Sequence, residues 1–294
     1  MLLTLLHHFR AAAALPVASS AVLAITTAAL TTPQATTQPD PPAATSQPTS
    51  AAYALLDRIA QADKDLTAIT ADIRKTKEEK VLRRKEIHLG QVIYLVDRPE
   101  PDSETLIRKF AILFSKRYHG SGSRLREDSR DDHFVFDGRW FADINHAEKQ
   151  FIKTEIAPPG EHRDPLKLGE GPFPLPIGQD RNEVLTRFAV TDAPIPDEGP
   201  LAKLPRDNVQ GIHLVPKPNT AIAEDHSSFD IFYDLNLNLP IGVAIVHTNG
   251  DREWIMLTNV KRNPQLNDEE QGRMNIATPS DPSWRIDIRA WGSS

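Results

Sequence analysis

The chain offers little that could carry out bond-making chemistry. Its ten histidines are scattered over 294 residues, with no two spaced by four and no H-E-x-x-H pattern, so a helical metal site finds no support. Cysteine is absent, which removes thiol nucleophiles and thiolate ligands, and no G-x-S-x-G nucleophile elbow occurs. The densest polar cluster is Asp128, Asp131, Asp132 and His133. A calcium loop needs oxygen ligands at fixed spacing and a turn glycine, and both are missing, so the cluster reads as a solvated loop entering the strand Phe134–Phe136. Asp230 and Asp234 fall on the polar side of an alternating strand, where solubility alone would put them. Gly120-Ser121-Gly122-Ser123 lacks the following Lys-Ser/Thr and the strand-to-helix setting of a phosphate-binding loop, and reads as a flexible loop. The expectation is a protein that is not an enzyme and holds no metal or cofactor. The net charge of −6 gives no reason to look for nucleic acid.

The elements that would position any site are mostly strands. Phe229, Ile231, Tyr233 and Leu235 alternate with polar residues, as do Trp284, Ile286, Ile288 and Ala290, which predicts strands with one buried and one wet face. Asp137-Gly138 and Asn249-Gly250 separate such runs and mark hairpins, because both pairs accept positive φ. The order is that of an antiparallel meander rather than alternating βαβ units. A second group, Val92–Val96, Phe110–Phe114 and Trp254–Leu257, is apolar on both faces. It needs cover on both sides or one face that lines a cavity. A sandwich core or packing by loops satisfies the same pattern. Leu55, Ile59, Ala62 and Leu66 share one face of a helix that Ser50 could cap, and a second short helix is expected around Asn182–Ala189. Arg74–Glu86 mixes both charges densely and reads as a solvated hairpin.

Between Asp164 and Gln179 the chain reads DPLKLGEGPFPLPIGQ. Leu166, Leu168, Phe173, Leu175 and Ile177 are apolar, yet four prolines deny the segment the amide donors of a sheet ladder. Such a segment is either an ordered loop covering the core or a lid at the mouth of a cavity.

The N-terminus has a basic start with Arg10, an apolar run from Ala11 to Ile25 and small residues around Ala28. This is the layout of a secretory signal, expected over residues 1–35, with an uncleaved anchor as the alternative. Residues 36–50 are Pro/Thr/Ala-rich and read as a disordered linker. Residues 51–294, about 240 of them, are within reach of one large β domain. Without cysteine the exported domain has no disulfide framework and no attachment point for a lipid anchor.

The order of these features resembles the LolA-like family of periplasmic lipoprotein carriers and lipoprotein-sorting proteins: export signal, amphipathic helix, polar hairpin, Gly90–Pro99 (GQVIYLVDRP), Asp137-Gly138-Arg139-Trp140-Phe141, the proline-rich apolar segment, a short helix, then hairpins. The resemblance spans roughly Ala51 to Ile288. It implies a mainly β fold, an incomplete antiparallel β-barrel wrapping a hydrophobic cavity covered by helices and loops. It also implies a non-enzymatic carrier of lipoprotein acyl chains or other lipids, monomeric in the periplasm. Such a carrier would take cargo from an inner-membrane release complex and pass it to an outer-membrane acceptor. Stress-signalling relatives imply an alternative, an envelope sensor or scaffold that binds a protein partner. Carried over by position, Arg98 before Pro99 matches an arginine that holds the lid closed through hydrogen bonds. Gly90 matches the glycine opening that strand, and Gly169–Ile177 occupies the place of the apolar loop that closes the cavity. The lid and cavity candidates are therefore Arg98, Tyr94, Phe110, Ile112, Phe114, Trp140, Leu168, Phe173, Leu175, Ile177, Trp254 and Met256. Three features depart from the family pattern: Asp97 in place of a basic residue, a longer polar insertion between Phe114 and His133, and a larger domain.

Overall fold

Apolar side chains at positions 52, 55, 56 and 59 wind onto one side of helix α1 (Ser50–Ile59), whose last turn carries Arg58 against the negative end of the helix dipole. Ser50 is the first helical residue, and the helix stops earlier than its apolar pattern predicts. Ala62 and Leu66 are buried in the turns that follow it. The computed structural model describes residues 50–62, 64–98, 106–122, 124–158, 161 and 177–292. The expected signal, the linker up to residue 49, and Leu168, Phe173 and Leu175 lie outside the described residues. Among the described residues no helix is long and apolar enough to cross a membrane.

Among the described residues twelve strands make one mainly antiparallel sheet. They are β1 (Ala68–Glu79), β2 (Arg84–Asp97), β3 (Ile107–Ser121), β4 (Arg124–Phe136), β5 (Trp140–Asn145), β6 (Gln150–Glu155), β7 (Phe188–Ala193), β8 (Val209–Pro216), β9 (His226–Asp234), β10 (Leu239–His247), β11 (Arg252–Arg262) and β12 (Arg285–Arg289). Their order is β12-β6-β5-β4-β3-β2-β1-β11-β10-β9-β8-β7. Two meanders, β1–β6 and β7–β11, are joined at the centre by the β1–β11 pair. The edge strands β12 and β7 do not pair with each other, so the sheet stays open, the incomplete barrel expected from the sequence. Helix α2 (Arg181–Arg187) is capped by the Asp180 carboxylate, which accepts from Glu183 N, and β7 starts at the residue after the helix. The other helical pieces among the described residues are a 3-10 turn (Pro200–Lys203), α3 (Ala221–Asp225) and α4 (Asp268–Gly272).

Both Asx-Gly signals sit in hairpin turns. Asp137 accepts from the amides of Arg139 and Trp140 between β4 and β5, and Gly250 has φ of 85° between β10 and β11. Gly120 and Ser121, expected in a flexible loop, are the end of β3 and pair with Leu125 and Arg124 of β4. β12 departs from the expected meander because it pairs parallel to β6, and it has no buried face, since Ile286 and Ile288 are 41% and 51% exposed.

Curvature comes from irregular pairing. The register shifts between Leu89 and Gly90 on β2, between Phe114 and Lys116 on β3, and between Thr70 and Asp72 on β1. Such bulges bend and twist a sheet. Gly90 lies in the middle of β2 rather than at its opening, and a Cβ there would stand 2.0 Å from the Leu113 carbonyl oxygen. The position therefore needs glycine for close approach of two backbones.

The inner face gathers one large core from β1–β5 and β7–β11, closed by α1 (Ala52, Leu55, Leu56, Ile59), Ile177 and Val184. The strands with two apolar faces are explained by cover on the outer side as well. Met274, Ile276 and Trp284, downstream of β11, pack on Ala111, Val135, Ala142, Ile144 and Phe151. Leu201 and Leu204, from the 3-10 turn and the residue after it, pack on Phe232 and Ile241. Among the described residues both faces are thus packed, and the inner face holds a small void.

Candidate functional site

The void lies at the centre of the inner face. It is lined by Ile69 of β1, Val92 and Tyr94 of β2, Phe110 and Ile112 of β3, Leu239 and Pro240 of β10, Leu257 and Val260 of β11, and Ile177. Among the described residues no charged side chain lines it. Its volume is about 20 Å³, room for about one water molecule. Strand alternation sets the lining: Phe110 and Ile112 point inward while Ala111 between them packs on the outer side. On β11 a bulge at Asn259, with φ of 52°, keeps both Leu257 and Val260 at the void.

Of the sequence candidates, Tyr94, Phe110, Ile112 and Ile177 meet at this void. Phe114 belongs to the same core farther along β3, with its ring edge-on to His88 and Phe134. Trp140, Trp254 and Met256 are placed elsewhere. Trp254 and Met256 are partly buried on the outer face against the Leu201–Leu204 cluster. Trp140 points away from the inward Phe141 and has Lys153 Nζ 5.1 Å from its ring centroid. Period-two patterning finds such strands but does not say which of two apolar faces looks inward.

The chain that connects α1 to β1 is fastened by arginines. β1 runs antiparallel to both β2 and β11, so the ends of those strands flank the point where the chain arrives from α1. At the end of β2, Arg98 donates from Nη1 to the Leu66 carbonyl at 3.0 Å and from Nη2 to the Lys64 carbonyl at 2.9 Å. At the end of β11, Arg262 donates to the Ala62 carbonyl at 2.8 Å and to the Leu237 carbonyl at 3.2 Å, and it pairs with Asp65. That hydrogen bond and the charge of Arg262 hold the Asp65 carboxyl below its usual range. Asn263 accepts from Thr67 N and donates to the Asp65 carbonyl, both at 2.8 Å. Arg58 of α1 reaches Asn238 Oδ1 at 2.9 Å, and Arg181 of α2 bridges both Asp57 oxygens while lying 5.0 Å from the Tyr53 ring centroid. Arg58, Arg181 and Arg262 escaped sequence reading because single arginines at element ends carry no pattern of their own. Arg98 was singled out only by resemblance.

A polar group shares the inner face beyond Phe134. Asp143 faces Phe134 across the β4–β5 pair, and Asp132 Oδ1 accepts from Asn145 Nδ2 at 3.0 Å. Burial, with the nearby Asp132 charge, pushes the Asp143 carboxyl up to about 6. Burial also raises Asp132. The cluster at Asp128–His133 belongs to β4 rather than to a loop: Asp128 pairs with Arg117 and His119, and His133 Nε2 donates to the Arg273 carbonyl, 2.8 Å away. Among the described residues no three His, Asp or Glu side chains are grouped to hold a metal ion.

Fold and site together define an open antiparallel sheet whose helix-covered inner face encloses an apolar centre. No protein-family model and no curated protein matches the chain. Solved structures that it is similar to include an uncharacterized conserved protein from Thermus thermophilus, at 10% identity over 81% of this chain and 99% of that one, with a TM-score of 0.41. A chain of the MucA/MucB complex of Pseudomonas aeruginosa is similar at 13% identity over 78% of this chain and 64% of that one, with a TM-score of 0.40. A LolA superfamily protein from Nitrosomonas europaea, of the family that the order of sequence features resembles, is similar at 8% identity over 74% of this chain and 96% of that one, with a TM-score of 0.28.

Proposed function

We propose that the chain is a non-enzymatic periplasmic carrier that takes lipoprotein acyl chains or other lipids against the inner face of the sheet and moves them toward the outer membrane. The observation that supports this reading is the void itself. Its lining is apolar throughout, drawn from strands on both sides of β1 and from Ile177, and the connection after α1 is tied to the ends of β2 and β11 by hydrogen bonds. An acyl chain exposed to water costs about 0.8 kcal/mol per methylene, so a dry sleeve carries it without catalysis. In the present state the void is too small for such a chain. Loading therefore requires the inner core to open, and Arg98 and Arg262, which tie the connection after α1 to the strand ends, are placed to resist that opening. The signal-like start supports export, and a monomer suffices for one cavity.

Lipid mass spectrometry on protein purified from its native compartment, with displacement of a fluorescent fatty acid, tests the proposal. Bound lipid and saturable displacement are expected; an empty protein that the fatty acid does not enter would overturn it. A second reading, a scaffold that binds a protein partner, is favoured by one observation: the inner face is already filled by the protein's own side chains. Under that reading the fatty acid fails to bind and cross-linking recovers a stable protein partner.

A further inference from the structure

The two most exposed large apolar side chains among the described residues are neighbours. Val81 and Leu82 are 84% and 66% exposed, and they form the middle of the turn joining β1 to β2. Isolated apolar residues are common on protein surfaces, but an adjacent pair at the tip of a long hairpin is contiguous and protrudes. The flanking residues Lys80 and Arg83 are also exposed, and Arg83 is held with φ of 48°. The next hairpin ends beside it, because Arg84 pairs with Ser121 and Ser121 with Arg124. Arg124 and Arg126 there are exposed too.

Charge sorts the partners. Further down the hairpin the ions are matched: Lys85 with Glu78, Lys77 with Glu79, and Arg84 with Glu86. The nearest acid on the other side, Asp251, accepts from the Lys80 backbone amide. Lys80, Arg83, Arg124 and Arg126 form no ion pair among the described residues. A chain with net charge −6 thus presents unmatched cations around an exposed apolar pair at one end of its sheet. Long cationic side chains around a small apolar wedge suit the boundary between acidic headgroups and acyl chains.

We propose that the β1–β2 tip, Lys80–Arg83, docks on a membrane surface rich in anionic lipid, with Val81 and Leu82 entering the headgroup region. The surface is separate from the void and does not depend on what the void carries. Because the chain has no cysteine, Leu82→Cys allows one environment-sensitive nitrobenzoxadiazole label on the full chain, so the readout is local to the tip. On vesicles of equal parts phosphatidylcholine and phosphatidylglycerol the label should shift to the blue and brighten, and on phosphatidylcholine alone it should not. Lys80→Glu with Arg83→Glu, on the same labelled chain, should weaken binding by about thirtyfold or more while circular dichroism stays unchanged. A label that stays water-like on the anionic vesicles, or an equal response from a control label at Glu269→Cys on α4, would overturn the proposal.

Discussion

Asp143 shows how a single buried acid sets a pH dependence. Its folded value of about 6 lies above the ordinary carboxylate value of 3.8. The folded state therefore resists ionisation that the unfolded chain undergoes freely, and stability is lost as pH rises from about 4 through about 6. Asp143→Asn should raise the melting temperature at pH 7 by about 3 °C or more and have little effect below pH 4. Melting curves across that range check the sign. Glu86 works in the other direction. Hydrogen bonding from His88 and the charge of Arg84 bring it down to about 2 despite burial, so its contribution is lost as pH falls from about 4.5 through about 2. Among the fastening residues, Arg98→Leu removes two donors from the connection after α1. The fold should persist by circular dichroism, and dissociation of a bound fluorescent fatty acid should quicken about tenfold.

Elements were legible where local chemistry determines them and obscure where distant packing does. The hairpin at Asp137-Gly138, the hairpin at Asn249-Gly250, and α1 follow from turn residues and a helical stripe. The Trp254–Leu257 run is a strand as expected, yet its tryptophan and methionine face the Leu201–Leu204 cluster, and no sequence spacing announces that cluster as cover. β12 misled in a different way. Its alternation is that of a half-buried strand, but it joins the sheet's edge by parallel pairing and leaves Ile286 and Ile288 in water. The void lining mixes both cases, since Tyr94, Phe110 and Ile112 stand out as apolar on a two-faced strand, while Leu239 and Pro240 do not. Two substitutions test the elements themselves. Gly90→Ala places a methyl against the Leu113 carbonyl and should cost about 3 kcal/mol in urea unfolding. Leu56→Ala on α1 empties a fully buried site and should cost about 3 kcal/mol as well.

At the scale of the whole molecule, an open sheet has two edges that differ from its centre. β12 has no buried face and pairs on one side only, so its amides should exchange with solvent well before those of β1 and β2, as hydrogen-exchange mass spectrometry would show. The central β1–β11 pair carries a further consequence. Ile69 lies opposite Arg262, so the strand in the middle of the sheet waits for a partner nearly the whole domain away in sequence. Contacts that remote close slowly, because the intervening chain must lose its freedom before they form. Refolding should therefore be slow for the domain's size, and chains cut before β11 should stay unfolded. Under the export proposed above, this delay would have a use: the β1–β11 pair could not form until almost all of the chain had crossed the membrane.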